Sequence, residues 1–296
     1  MQGLPQILIN ALAIGSSYTL VAVGFTLIFG VLRVVYLAHA AVLAASAYAG
    51  YLALSMTGSV VVALGLGIVT GGVLGLIVEF VAIRPVRGQD HLIPMVTTIS
   101  AAIIIEELLR LTVERGQPIS YPDTFGSTVI RLNVFGTTPY FTLSQALIVV
   151  MAVVLVLVLT WIVRRTWAGR AIRAVADSED IAALLGVRVN VVSASTVALA
   201  SMLAGAGGVL IAMSVTAIDP HFAAPLQFKA LAIALFAGMG SIPGAVIGGF
   251  LLGFIEAFAV GYLDPSYRDL FAFLVMIAIL MVWPQGLLGR KVAQRV

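Results

Sequence analysis

"WAGRAIRAVADSEDIAALLGVRVN" (Trp167 to Asn190) is the stretch on which the reading of this chain turns. It is short and polar, and long runs with almost no charge lie on either side of it. The chain has 296 residues, of which 61% are hydrophobic and 10% charged, and its mean hydropathy is +1.13. A soluble domain of that length needs far more charge to coat its surface, so the composition predicts an integral membrane protein. Cysteine is absent, which removes disulfides and thiolate metal ligands. The isoelectric point near 9.4 is what basic cytoplasmic loops produce, and no nucleic-acid partner is expected. No Lys or Arg precedes Arg33, so the first apolar run lacks the basic n-region of a signal peptide and reads as a retained span.

About 20 apolar residues cross a bilayer as a helix. On that ruler the candidate spans are 5–32, 34–56, 58–83, 91–113, 139–163, 191–217, 226–243, 245–262 and 267–288, giving eight or nine crossings in one transmembrane domain, 1–296. The fold class predicted is all-α, a polytopic helix bundle. Basic residues orient it. Arg164, Arg165, Arg170, Arg173 and Arg188 place the loop 164–190 in the cytoplasm, and Arg290, Lys291 and Arg295 place the C-terminus there. The turn from Arg84 to His91 then lies on the same side, and the loop 114–140, with Arg115 and Arg131, lies outside with Ile218 to Gln227.

Glycine recurs at helical spacing. Gly67, Gly71 and Gly75 form one GxxxGxxxG and Gly240, Gly244 and Gly248 another, a pattern that lets helix backbones approach closely in lipid. "GIVTGGVLGLIVE" (Gly67 to Glu79) and "GAVIGGFLLGFIE" (Gly244 to Glu256) share G-x3-GG-x6-E. With nine spans these two helices run in opposite directions, as an inverted repeat of a transporter would.

No P-loop is present, so the chain is expected to bind no nucleotide of its own, and "GMGSIPG" lacks the lysine. His39, His91 and His221 lack metal-ligand spacing, and neither a metal site nor a cofactor is expected. No nucleophile with its flanking pattern appears, which argues against an enzyme. Intramembrane ionisable groups mark pathways or paired supports. His39, Glu79, Glu256 and Lys229 are the candidates, with Arg33 and Glu106 beside them. Their plainer readings are a hydrogen-bonded contact for His39, an interfacial carboxylate near Arg84 for Glu79, and a snorkelling side chain for Lys229. Glu106 and Glu107 stand four and three residues before Arg110, which suits local helix pairing.

Residues 170–187 read as two short helical pieces broken at Asp177-Ser178. Asp177 is placed to cap the second piece, with Asp180 three residues on, and Gly186 to end it. Ile181, Leu184 and Leu185 fall on one apolar face, with Glu179 and Asp180 opposite. A short amphipathic helix projecting from a membrane domain lies on lipid, stays solvated or docks in a groove. Two acids beside the apolar residues disfavour anionic lipid, and the brevity favours a socket.

"DIAALLG" (Asp180 to Gly186) resembles the E-A-A-x-x-x-G coupling motif of ABC importer permeases, with Asp for Glu and Ile for the first Ala. "ALFAGMGSIPGAVIGGFLLGFIEAFAVGYLDPSYRDLFAFLVMIAILMVWPQGLLGRK" (Ala234 to Lys291) resembles the C-terminal third of the branched-chain amino acid permease family of the LivH type. That family has G-G-x-G-S-x-x-G-A-x-x-G-G there, running to R-P-Q-G-L-x-G. Here Ala-Gly precedes Met239 and Trp283 precedes Pro284. "YTLVAVGFTLIFGVLRVVYLAHAAVLAASAYAG" (Tyr18 to Gly50) is similar to its first two spans, with Y-L-A-H-A (Tyr36 to Ala40) for N-F-A-H-G. "GRAIRAVADSEDIAALLGV" (Gly169 to Val187) matches its cytoplasmic loop in length and position.

The resemblance implies a permease subunit in a bacterial-type inner membrane, paired with a second homologous permease subunit. It implies two cytoplasmic ATPase subunits that carry ATP and Mg, and an extracytoplasmic solute-binding protein. Arg173, Asp177, Glu179, Asp180, Ile181, Ala182, Leu184, Leu185 and Gly186 would form the ATPase coupling element. Ile181, Ala182, Leu184 and Leu185 would fill the groove, and Glu179 and Asp180 would meet its rim. The loop 114–140 would meet the binding protein. Branched-chain or other hydrophobic amino acids are the expected cargo, with urea, amides and other small solutes as the alternative within the family. An ion-coupled secondary transporter, which needs no ATP, is the alternative outside it, and a channel or intramembrane enzyme is more remote.

Overall fold

The structure is a computed structural model. It describes residues 3–90, 92–113, 116–122, 129–131, 140–215, 217–238, 240–263, 265–282 and 286. His91, most of the loop 114–140, Met239, Trp283, Pro284 and the basic tail with Arg290, Lys291 and Arg295 lie outside the described residues.

Among the described residues, eight helices are long and apolar enough to cross a membrane. In chain order, α1 (Leu4–Leu32), α2 (His39–Thr57), α3 (Val60–Val78) and α4 (Leu92–Thr112) come first. A π-helical turn (Glu79–Ile83) and a 3-10 turn (Arg84–Val86) prolong α3. Three short strands follow, β1 (Ile119–Ser120), β2 (Val129–Arg131) and β3 (Tyr140–Thr142), and then α5 (Leu143–Arg165). Two polar helices, α6 (Trp167–Asp177) and α7 (Glu179–Leu184), lead to α8 (Val189–Ala212) and β4 (Ala217–Ile218). The bundle closes with α9 (Ala224–Ala237), α10 (Ile242–Tyr262) and α11 (Arg268–Val282).

Local chemistry sets the boundaries. Thr142 and Gln145 form a reciprocal capping box that starts α5. Gly58, with φ 65°, ends α2 in the left-handed conformation that a side chain disfavours. Arg33 does the same for α1 at φ 54° and is the one non-glycine residue with positive φ among those described. The antiparallel pair Ile119↔Ile218 and Ser120↔Ala217 joins the two loops expected on one side of the membrane. Tyr121, beside that pair, reaches the Ala47 carbonyl at 3.5 Å. Burial pushes its phenol well above the ordinary tyrosine range.

Two of the expected spans are corrected. The run 34–56 does not start as helix, because Arg33 to Ala38 are non-helical and α2 begins at His39. The run 226–243 is the helix α9 of 14 residues, which rises about 21 Å and falls short of a core of about 30 Å. Gly238 ends it at φ 95°, and Gly240, at φ 83°, packs against Gly30 at the C-terminal end of α1. The irregular segment before α9 and α9 itself therefore return the chain from the β4 side to the end of the bundle where α1 finishes.

Close backbone approach builds the core. A Cβ on Gly71 would run into the Ser201 carbonyl, and one on Gly75 into the Ser201 side chain. Gly67 faces Val209 and Gly205, so α3 and α8 are antiparallel along one glycine row. The second row differs from the sequence expectation. Gly240 lies before α10, while Gly244 faces the Ala237 carbonyl and Gly248 faces Ile233 and Phe236 of α9. The row that meets α1 is Gly249 and Gly253, against Thr19 and Gly15. Helix α10 runs antiparallel to α1 and opposite in direction to α3.

Gly71→Ala should lower stability by about 1–3 kcal/mol, the usual range for overpacking a tight contact. Gly65→Ala, on the same helix with open space at its Cβ, should stay within about 0.5 kcal/mol of the parent. Thermal unfolding of the detergent-purified protein, followed by intrinsic fluorescence, checks the contrast.

Candidate functional site

The polar loop keeps its predicted break and changes its cap. Helix α6 is capped by Thr166, whose hydroxyl accepts from the Gly169 amide at 3.1 Å. Arg173 donates to the Val163 carbonyl, and Arg170 stacks on the Trp167 ring with 3.7 Å to its centroid. Asp177 is the last residue of α6. Ser178 is the residue that caps α7, accepting from the Ile181 amide at 3.4 Å, because it is the one with extended backbone at the break. At the far end Val187 N donates to Ala182 O and Gly186 N to Ala183 O, both at 3.0 Å. With Gly186 at φ 84° this is a Schellman stop, as glycine there implies.

The outer face of α7 is apolar and bare. Leu184 is 87% and Leu185 78% exposed, and Ile181 stands beside them. Ala182 turns inward and is buried, so it packs the helix onto the body and does not join that face. Glu179 and Asp180 are both exposed, and Glu179 also borders a cavity between α7 and the transmembrane helices.

The intramembrane charges form two buried systems. Glu256 on α10 is fully buried, with Lys229 Nζ 2.7 Å from Oε1 and Arg268 Nε 2.5 Å from Oε2. The Tyr18 hydroxyl donates to Oε2 at 2.5 Å and accepts from Lys229 at 3.0 Å and Arg268 at 2.8 Å. Asp269 adds a second carboxylate 2.8 Å from Lys229. Two cations face two anions around one phenol, so the set is neutral. Lys229 is buried in this network, not snorkelling, because its partners lie at its own depth.

Glu79 opens the π-helical turn after α3 and is likewise fully buried. Its partner is Arg87 at 3.2 Å, while Arg84, the neighbour expected from spacing, lies over the Phe80 ring. Arg87 also donates to Asn190 at 2.7 Å, which ties the 84–90 turn to α8. Glu107 pairs with Arg110 as spacing implies, but Glu106 meets His221 Nδ1 at 2.9 Å. His39 is buried against the edges of Phe25 and Tyr36. Its ring faces the Val21 backbone, and among the described residues neither ring nitrogen meets strict hydrogen-bond geometry.

Residues that sequence reading passed over hold the break before α2. Gln227 Oε1 accepts from Ala40 N at 2.9 Å and its Nε2 donates to Tyr36 O at 3.3 Å. Thr98 Oγ1 accepts from Leu37 N at 3.4 Å, while its one proton has the Pro94 carbonyl of its own helix at 2.9 Å and Val35 O farther off at 3.4 Å. Backbone left outside a helix at membrane depth needs such partners. Tyr18, Arg268 and Asp269 were missed too; the one local signal was "YRD" at the head of an apolar run.

Glu256→Gln should cost about 3–5 kcal/mol, because it leaves two cations facing no buried anion. Asp269→Asn should cost under about 1 kcal/mol, since its carboxylate is 61% exposed. Melting curves of the two purified variants beside the parent test that order.

Residues 7–280 match the family described as "Branched-chain amino acid transport system / permease component". The permease protein LivH of the high-affinity branched-chain amino acid transport system of Escherichia coli K12 is 33% identical over 300 residues, 98% of this chain and 97% of LivH. BraD of Pseudomonas aeruginosa, named for the same kind of system, is 31% identical over 307 residues, with the same 98% and 97% coverage. Among solved structures, PsaBC from Streptococcus pneumoniae in complex with Fab shares the fold. Its TM-score is 0.52 at 15% identity, over 94% of this chain and 92% of that one. A match that spans the whole bundle, from α1 through α11, shows that this chain belongs to the family of branched-chain amino acid transport permease components.

Proposed function

We propose that this chain is the membrane-spanning subunit of an ATP-driven importer for branched-chain or other hydrophobic amino acids. Family membership supports the reading, and the single observation that carries it is the bare apolar face of α7. Ile181 and Leu184 stand exposed on a helix of six residues, with Leu185 exposed at its C-cap, while Ala182 seats the helix on the body. Such a face lowers its free energy by docking. In this reading it enters a groove on one of two cytoplasmic ATPase subunits, which bind the ATP and Mg, and Asp180 meets basic groups at the rim. Arg173, Asp177 and Gly186 fix its placement.

The same reading puts α6, α7 and the C-terminus in the cytoplasm of a bacterial-type inner membrane. A second permease subunit, homologous or identical, completes the pathway, and an extracytoplasmic binding protein delivers cargo near the loop 114–140. The pathway runs past the break before α2 and the short α9, since broken helices at depth are where transporters hold cargo. Two carboxylates end matched glycine motifs, Glu79 and Glu256, and both are buried and paired to arginine; this supports an inverted repeat.

A pull-down from native membranes in mild detergent, with the parent and Leu184→Asp, is the test. The exposed position lets the variant fold. An ATPase pair should accompany the parent and be lost from the variant, and ATP-driven leucine uptake by the reconstituted complex should fall at least about tenfold. A chain that comes alone, or takes up leucine without ATP, would favour a secondary transporter.

A further inference from the structure

A cavity of about 360 Å³ lies where the end of α1, the 84–90 turn, α7 and the start of α8 meet. That volume is within the range of about 300–1,000 Å³ typical of small-molecule sites. Val31, Ile83 and Val175 give it apolar walls, and Arg33, Glu179 and Ser193 bring polar groups to it. Arg87 also reaches it, but its charge is matched by Glu79. Among the described residues neither Arg33 nor Glu179 forms an ion pair, and both are exposed, so one cation and one anion border the space with solvent but no protein charge as partner. Arg33 has a left-handed backbone, φ 54°; its amide donates to Phe29 O at 2.9 Å, and its guanidinium donates to the Ala176 carbonyl at 3.5 Å. Non-glycine residues in that conformation cluster at binding and switch positions.

Ser193 supplies a second, independent sign. It is 2% exposed, it lines the cavity, and its hydroxyl has no hydrogen-bond partner among the described residues. A buried hydroxyl left so is costly unless a ligand or water meets it. The space therefore offers a guanidinium, a carboxylate and a free hydroxyl around an aliphatic wall, which complements the zwitterion of an aliphatic α-amino acid. Arg33 would take the carboxylate and Glu179 the ammonium.

We propose that this cavity binds an aliphatic amino acid from the side of the polar loop, and that occupancy holds α7 against the end of α1. The cargo class rests on the proposed function. Since Glu179 belongs to α7 and Arg33 to α1, a bound zwitterion bridges the coupling element to the body and resists its movement. Accumulated cargo thereby slows its own import.

Two measurements decide it. Radiolabelled leucine is bound to the full-length chain in nanodiscs, without any binding protein, for the parent, Arg33→Gln and Ser193→Val. The parent should bind, unlabelled leucine should compete while isocaproate and isoamylamine, each lacking one charge, should not, and both variants should lose affinity by about fivefold or more. No binding by the parent, or equal binding by the variants, overturns the site. In proteoliposomes with the partner subunits, leucine sealed inside should slow the parent's uptake by about fivefold, and each variant much less relative to its own empty vesicles. Unchanged uptake overturns the regulatory part. Failure of uptake into empty vesicles strikes the transport assignment instead, and leaves the nanodisc result to decide the cavity.

Discussion

Two seams of backbone against backbone hold this bundle. In lipid no hydrophobic force drives one apolar helix onto another, and close approach of small residues takes its place. Along α3 and α8 the seam is Gly67, Gly71 and Gly75, with no room for a methyl group at Ser201 or Val209. Along α1 and α10 it is Gly15, Gly249 and Gly253. Each seam ends in a buried carboxylate seven residues beyond its glycine pair. Glu79 is thereby aimed at Arg87 and Glu256 at Arg268. Removing close approach would strand both charges, so the packing and the electrostatics are one system.

The carboxylates in turn fix parts of the molecule with no apolar reason to stay put. Through Arg87 and Asn190, Glu79 pins the 84–90 turn to the start of α8. Through Lys229 and Arg268, Glu256 gathers α9 and α11 around α1 and α10. Helix α9 then presents Gln227 to the break before α2, where four backbone groups need partners. A short helix and a broken one complete each other.

Hydropathy made the eight long helices legible, and the polar loop could be read nearly to the residue, because glycine, serine and charge punctuate it. The break before α2 was hidden because Val34, Val35 and Leu37 continue an apolar run, and hydropathy does not tell extended backbone from helix. Helix α9 looked longer for the same reason. Gly240 has the spacing of a stripe, but a positive φ removes it from the helix, and spacing carries no dihedral. The buried network was invisible at the level of local pattern: Tyr18 and Lys229 are 211 positions apart. Glu106 illustrates the limit most simply, since an i,i+4 arginine was at hand and the fold chose His221.

The joint at Ser178 has a mechanical meaning. Helix α6 is fastened to α5 by the close fit of Gly169 on the Val163 and Ile162 carbonyls and by Arg173. It is a strut without freedom of its own. Helix α7 has six residues, under two turns, and is joined to that strut by a single extended residue. A displacement applied to α7 can swing at Ser178 or be passed whole to α5, and the stiffness of that one residue sets the division. A more rigid link there would turn the same push into a longer stroke of the transmembrane helices, and a looser one would spend it in the loop.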